Sequence, residues 1–581
     1  MNRSRQAPWR SVAHRLILMI FPLAFLTFLL FPQEASAHAI LLRSDPQKLA
    51  VLTTSPAQVS MWFSEDLNPA FSTAFVINAV NSAANNVQGN IRTHVDKNDA
   101  HVSENNSREM DISLKPNLPP AVYIVLYRTQ SADDGHFFYG FFLFKVAIAN
   151  GTVPVFNGTI PQLYTSSVND SGDAQFDGPA LFSLIMTTLV DLGAIFWVGA
   201  QVWFCFILAE LESENQELQT VCGQMQRRFN RGFAWPVLLL VLLADIGVLV
   251  GQALSLTGGQ WEVAFDPALL ISLVNQGHFG TYWILREIVI LLALLLAVYM
   301  ALVKQPSQQI TSSITWGNFA LAVALLVALT QSGHAAATSS NVRVYAVLAD
   351  FLHLAAAALW IGGMMYIAVI YLPVLKNRPW QQQTASLLTI LPRYSPLAIT
   401  GVVLMGLSGP LNAATRLLSW DQLFTTAYGL TLIIKVLLVI SLLLTSAVHV
   451  LFLRPHLAQD FKIYQAATEA AQCSEDDQPV NRASIPVAQL KKLEARTRQQ
   501  TQELSMILRW EPALGIAVLL CTGLLAVFSG TLQPTTTSQP LAQTVDTISK
   551  PFTTIVETTD NQIRETLRID SNRGVGFQRT R

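Results

Sequence analysis

The sequence predicts a two-part fold: an N-terminal all-β sandwich joined to an all-α polytopic bundle of about eight membrane helices. Three observations carry this. The 581 residues are 51% hydrophobic and only 13% charged, against roughly 25% charge in an average soluble chain. About a hundred residues near the N-terminus alternate short β-branched and aromatic runs with turn formers. Beyond them, apolar runs long enough to cross the ~30 Å hydrocarbon core recur along the chain.

Residues 1–37 read as a secretory signal peptide. Arg3, Arg5, Arg10 and Arg15 precede an apolar run from Leu16 to Phe31, Pro32 ends it, and Ala35 and Ala37 form an A-x-A cleavage site. Cleavage would make His38 the first residue. A free α-amino group and an imidazole on one residue chelate a metal together, and imidazole suits Cu(II). His is rare, at 10 residues in the chain, so chance would place it here on the order of one time in fifty.

Residues 38–149 form the expected β domain. Val59-Ser60-Met61-Trp62-Phe63 alternates, Tyr123 to Tyr127 and Phe138 to Val146 are β-branched and aromatic, and Asp45-Pro46, Asn68-Pro69 and Pro119-Pro120 punctuate them. Residues 150–178 shift to Gly, Ser, Thr, Asn, Asp and Pro and read as a linker. The membrane domain, 179–532, is expected to hold spans near 180–208, 233–256, 281–303, 314–333, 344–373, 395–412, 427–452 and 507–530.

An exported first domain and an even number of spans put both ends of the chain outside. Arg227, Arg228, Arg231, Lys304, Lys376, Arg378, Arg393 and Arg454 then fall on the cytoplasmic side, as the positive-inside rule requires. A charged, partly helical loop at 455–505 reads as a solvated cytoplasmic hairpin, and 533–581 as an external, poorly ordered tail. The expected location is a bacterial inner membrane, with the β domain periplasmic.

Composition also excludes functions. A net charge of -1 argues against a nucleic-acid surface. The four Cys (Cys205, Cys222, Cys473, Cys521) avoid the β domain and form no C-x-x-C pair, so no disulfide framework or thiolate site is expected there. No G-x-x-x-x-G-K-[ST] motif is present, so ATP-driven transport by this chain alone is not expected.

Asp133-Asp134-Gly135-His136 stands between two expected strands. It reads either as an ordinary Asp-Gly turn with an exposed His, or as a ligand pair, because Asp134 and His136 share a face in an extended segment. With the His38 amine and imidazole they would suit a tetragonal Cu(II) site. His38-Ala39-Ile40-Leu41, Ser44-Asp45-Pro46, Ser55-Pro56-Ala57, Phe63-Ser64-Glu65 and Tyr127 through Asp134-Gly135-His136 to Phe144 resemble the CopC family of copper-binding proteins. The resemblance implies a β-sandwich binding Cu(II) through the mature terminus, His38, Asp134 and His136. Some members also bind Cu(I) in a Met-rich stretch. Only Met61 and Met110 lie in this domain, so that second site is expected to be missing. His94 and His101 read as surface residues.

In the bundle, Ser332-Gly333-His334-Ala335 closes one span, and Asp350-Phe351-Leu352-His353 opens the next, ahead of Leu359-Trp360-Ile361-Gly362-Gly363. Tyr428-Gly429 through Lys435 opens another, which later holds His449. These runs resemble the CopD family, the membrane partner of CopC, implicated in copper movement, so the chain looks like a CopC–CopD fusion. Intramembrane ionisable groups are costly and face an interior or cavity. Asp350 and His353 share a helix face, and His334 ends the preceding span near the same depth. The three are a candidate external copper site; His353 reads equally as a buried hydrogen-bonded imidazole. Arg286-Glu287 reads as an ion pair or anchor, His449 as interfacial, Glu511-Pro512 as a helix start, and Gly362-Gly363 and Trp360 as packing. Asp191 and Asp245 are candidates for lining a path.

The leading expectation is a non-enzymatic protein that captures copper outside the membrane and passes it to the bundle, in uptake or resistance. Its partners would be the copper ion, the bilayer and extracytoplasmic copper carriers. The alternatives are a membrane oxidoreductase with haem held by His334, His353 or His449, and an oxidative enzyme with an amino-terminal copper site.

Overall fold

The computed structural model describes residue 39 and residues 41–79, 94–132, 137–147, 178–211, 216–257, 259–275, 277–303, 307–333, 343–414, 417, 420–476 and 487–528. It also describes the backbone of 552–557, 564–570 and 574–580. Residues 1–38, which hold the expected signal peptide, and the linker at 150–177 lie outside the described residues.

The N-terminal domain is a sandwich of two four-stranded sheets. The strands are β1 (Leu41–Asp45), β2 (Val51–Leu52), β3 (Gln58–Phe63), β4 (Thr73–Asn78), β5 (His101–Ser103), β6 (Asn106–Ser113), β7 (Ala121–Gln130) and β8 (Phe137–Val146). One sheet has the order β1-β3-β6-β5, the other β2-β8-β7-β4. Alternation fills the space between them: Val59, Met61 and Phe63 of β3 meet Tyr123, Val125 and Tyr127 of β7 and Phe142 and Phe144 of β8. Met61 and Met110 are paired in register and fully buried, which makes them core residues. His94 lies flat on Phe75 with ring centroids 5.0 Å apart, and the His101 ring bonds the Asp99 carbonyl at 2.8 Å. Gly140 is opposite Tyr127, and a Cβ there would stand 2.3 Å from the phenol oxygen, so the close approach of that ring requires glycine.

The β2-β8-β7-β4 sheet is apolar on both faces. Its outer face buries Ile77, Val122, Ile124, Leu126, Phe141 and Leu143. A sheet apolar on both sides needs cover on both, and this one carries Tyr139 outward to the membrane domain.

Among the described residues, eight helices are long and apolar enough to cross a membrane: α1 (Gly178–Leu208), α2 (Gln216–Leu256), α3 (Phe279–Leu302), α4 (Gln309–Gln331), α5 (Arg343–Leu375), α6 (Trp380–Ala414), α7 (Ala427–Glu469) and α8 (Ala488–Val527). Trp197, Trp203, Trp360, Tyr366 and Tyr371 anchor their common core. Trp203 stacks on Tyr366 and Tyr394 at 5.0 and 5.2 Å. Such pairs are worth about 0.5–1.5 kcal/mol beyond the area they bury. The helix of α5 widens into π-helical turns at Ala358–Gly362 and Ile367–Tyr371. Gly362 lies in the first of these, against α1: a Cβ on Gly362 would stand 2.2 Å from the Ile195 carbonyl, and one on Gly199 2.5 Å from the Gly362 carbonyl carbon. Two glycines here let two backbones touch.

The stretch at 455–505, expected to be charged and partly helical, continues the last two spans: helix runs on through Arg454–Asp476 and resumes at Val487. One expectation is corrected. The tail, expected to lack regular structure, has three antiparallel strands at Phe552–Glu557, Arg564–Asp570 and Gly574–Thr580. Its alternation of Thr, Ile, Val, Leu and Phe with polar residues is the period-two pattern that favours strand pairing.

Candidate metal centre and the interface above it

His38, Asp134 and His136 lie outside the described residues, but their chain neighbours meet at one edge of the sandwich. Ala39 is buried and its carbonyl accepts from Thr129 Oγ1 at 3.4 Å. Thr129 and Gln130 end β7, paired with Phe138 and Phe137 at the start of β8. Ser131 bridges to Leu67, and the Ala132 amide donates to the Asp66 carbonyl at 2.8 Å. The residue after His38 and the two ends of the 133–136 segment are therefore held by the same few strand-end residues.

That edge faces the bundle. Asp66 accepts from Ser107 at 2.7 Å and Arg108 at 3.0 Å, and stands 3.7 Å from Arg343, the first residue of α5. Burial alone raises the Asp66 carboxyl, but these hydrogen bonds and the charges of Arg108 and Arg343 outweigh it and hold its pKa below the ordinary carboxylate value. Tyr139 donates its hydroxyl to the Leu256 carbonyl at 3.1 Å. Phe71 is buried among Leu249, Ala253, Leu254, Leu273 and Phe279.

Below this contact, α5 carries Asp350 and His353. Asn412 Nδ2 of α6 donates to Asp350 at 3.1 Å. His353 Nδ1 lies 3.0 Å from Ser408 Oγ, and that hydroxyl donates its single proton to the Leu404 carbonyl at 2.6 Å. Ser408 must then accept from His353, so the ring carries its proton on Nδ1 and keeps the Nε2 lone pair. His353 is only partly buried. Gly409, the residue after Ser408, packs beside the ring: a Cβ there would meet His353 Cε1 in ordinary contact at 3.6 Å. Asp191 of α1 lies within electrostatic reach of Asp350, Lys435 and Arg286, and Lys435 within reach of His353. This is a polar cluster inside the span region, at the end that carries the β domain.

Among the described residues no three His, Cys, Asp or Glu side chains gather closely enough to hold a metal ion. Asp350 and His353 are two residues of the three expected there, and each is hydrogen-bonded to α6. His334, the third residue expected there, lies outside the described residues. Two residues before it, Ser332 accepts from Arg286 at 3.0 Å, and Arg286 is paired through two nitrogens with the buried Asp245, at 2.7 Å each. Asp245 is therefore an ion-pair partner, and Arg286 pairs across helices with it.

His449, read from the sequence as interfacial, is buried against α8. It is 4% exposed and its Nε2 lies 3.2 Å from Glu511, which is equally buried and also accepts from Ser446. Glu511 does not open a helix; it lies inside the 41-residue helix Val487–Val527. The α7 helix runs away from the β domain, so His449 is at the far end of the bundle from His353. The structure does not bring these two imidazoles to one haem.

A β-sandwich seated on a helical bundle with a polar, imidazole-containing cluster is the architecture of a membrane protein of the CopC–CopD type. Comparison with known proteins agrees. The CopC domain model matches residues 41–147, the N-terminal domain model of copper resistance protein D-like proteins matches 179–344, and the copper resistance protein D model matches 388–525. The chain is 30% identical over 437 residues to the copper transport protein CutJ of Bacillus subtilis (strain 168), covering 75% of this chain and 71% of that one. It is 26% identical over 219 residues to the inner membrane protein YebZ of Escherichia coli (strain K12), covering 38% and 69%. Among solved structures it matches CopC from Methylosinus trichosporium OB3b (24% identity, 19% of this chain and 94% of that one, TM-score 0.16) and PcoC from Escherichia coli (26%, 19% and 98%, TM-score 0.16). The chain belongs to the copper resistance and transport family, with its CopC and CopD parts in one polypeptide.

Proposed function

We propose that the β domain captures Cu(II) outside the membrane through the His38 amine and imidazole, Asp134 and His136, and hands copper to His334, Asp350 and His353 for uptake through the bundle. The observation that carries this reading is the Asp66–Arg343 contact. Asp66 holds the strand end that leads into 133–136, and Arg343 begins the helix that carries Asp350 and His353. Ten residues of helix separate Arg343 from His353, about 15 Å. The docked domain thus stands over the bundle's own imidazole.

The chemistry favours transfer of a cation in that direction. Asp191 and Asp350 place two carboxyl groups near the route, and His353 presents a neutral nitrogen that binds copper in either oxidation state. Copper is cargo here, and no bond of another substrate is made or broken. Extracytoplasmic copper carriers would load the β domain. The test is copper accumulation in cells carrying the wild-type chain or the His334→Ala/His353→Ala variant at matched protein level. Accumulation lost in the variant, with Cu(II) binding by the β domain intact, is the expected result. Equal accumulation would remove the bundle residues from the route.

A further inference from the structure

The His449–Glu511 pair takes no part in that route, and its surroundings differ from those of a packing contact. Both side chains are almost fully buried in the span region. His449 Nδ1 has no hydrogen-bond partner among the described residues, and neither has the Nε of nearby Arg454. A buried ring nitrogen without a partner carries an uncompensated desolvation penalty, and ionisable groups in a span usually face a path or cavity. An open cavity of about 950 Å³ lies between α7 and α8; its wall is mostly apolar, with Val448, Phe452 and Trp510 exposed on it, and Thr445, His456, Gln500, Glu503 and Glu511 are its polar members. Glu511 is thus the common wall of the pair and the cavity. The cavity lies toward the end of the bundle opposite the β domain, where exposed His456 marks the surface.

We propose that His449 and Glu511 form a proton-exchange site, served through this cavity, that binds and releases one proton as copper crosses the bundle. The coupling to copper rests on the transport reading above; the proton site itself does not. Arg454 lies within electrostatic reach of Glu511, Tyr394 and Tyr371, and its NH1 is held by Ser395 at 2.8 Å. Arg454 already balances the Glu511 carboxylate while the imidazole is neutral. In that state Nε2–H points to Glu511 and Nδ1 keeps a lone pair. A proton leaving a hydronium ion in the cavity forms an N–H bond on the ring, and the carboxylate next to it steadies the added charge. Release reverses both steps. The site therefore has two states one positive charge apart, which is what counterflow against a cation needs. The other titratable groups facing the pair are Tyr394 and Tyr371 on the bundle side and His456 and Glu503 in the cavity.

Two measurements on the full-length protein test this. Infrared difference spectra between roughly pH 5 and pH 8, taken without copper, should show an imidazole protonation signal that His449→Gln removes, that Glu511→Gln moves to a different pH, and that His456→Gln leaves in place. Identical spectra for wild type and Glu511→Gln overturn the site, even where His449→Gln fails to fold. In vesicles holding a trapped pH dye, copper entry should drive proton movement the other way, several-fold weaker in Glu511→Gln. Copper entry with no pH change overturns the coupling while transport stands. No copper entry at all overturns the transport reading, and the infrared experiment still decides the proton site.

Discussion

His353 donates its Nδ1 proton to Ser408, a hydroxyl whose own proton is committed to the Leu404 carbonyl. The serine fixes the tautomer and aims Nε2. Ser408→Ala should leave the fold intact, because the side chain is small and the helix bond remains, yet reduce copper accumulation about 10-fold, within the 10–100-fold range for loss of an orienting partner. His353→Ala should cost at least as much. Accumulation by Ser408→Ala equal to wild type at equal expression would show that ring orientation is irrelevant to the route.

A copper site built on the His38 amine requires cleavage after Ala37, as the proposed function has it. A variant that keeps one extra residue before His38 after cleavage converts the amine to a peptide nitrogen. Cu(II) affinity of that protein should fall on the order of 100-fold or more. His136→Ala should remove one nitrogen from the electron paramagnetic resonance spectrum. Unchanged affinity in the first variant, or an unchanged spectrum in the second, would take those groups out of the coordination sphere.

Docking through Asp66 should weaken in acid. Its pKa is held down in the folded protein, so the contact with Arg343 is complete above the ordinary carboxylate range and is lost as pH falls through the lowered value. The pair is about a third exposed on each side, so breaking it costs under about 1 kcal/mol. Spin labels placed on the β domain and on the bundle's outer end should report a broader distance distribution at low pH, and Asp66→Asn should show that breadth at neutral pH. A distribution indifferent to both would assign docking to Phe71 and Tyr139 alone.

Topology has a clean chemical test. Cys205, Cys222 and Cys521 are buried, which leaves Cys473, in the stretch after α7 expected to be cytoplasmic, as the residue to label. A membrane-impermeant thiol reagent should label it only after cells are opened. Labelling in intact cells would invert the orientation drawn from the Lys and Arg distribution.

The two-layer architecture was legible because its signals are periodic: alternation at Val59–Phe63, and apolar runs of span length later. Asp350 and His353 were legible as intramembrane ionisable groups three residues apart. Their partners Ser408 and Asn412 were not, since a serine and an asparagine in a span become informative only once α6 is known to lie against α5. The His449–Glu511 pair was missed for a related reason. His449 was placed by its nearness to a charged stretch and Glu511 by the proline after it, and neither cue carries the 62-residue separation across which they meet. The outer apolar face of β7 and β8 was visible as an unbroken run in Tyr123–Tyr127, which in retrospect announced a sheet covered on both sides.

The contact of Gly199 with Gly362 has a kinematic consequence. Two backbones in touch cannot slide lengthwise past one another without lifting apart, so α1 and the middle of α5 travel together as one lever. Asp191 rides on one arm of that lever, Asp350 and His353 on the other. On the proposed transport reading, a passage for the ion has to open along a seam of the bundle other than this one.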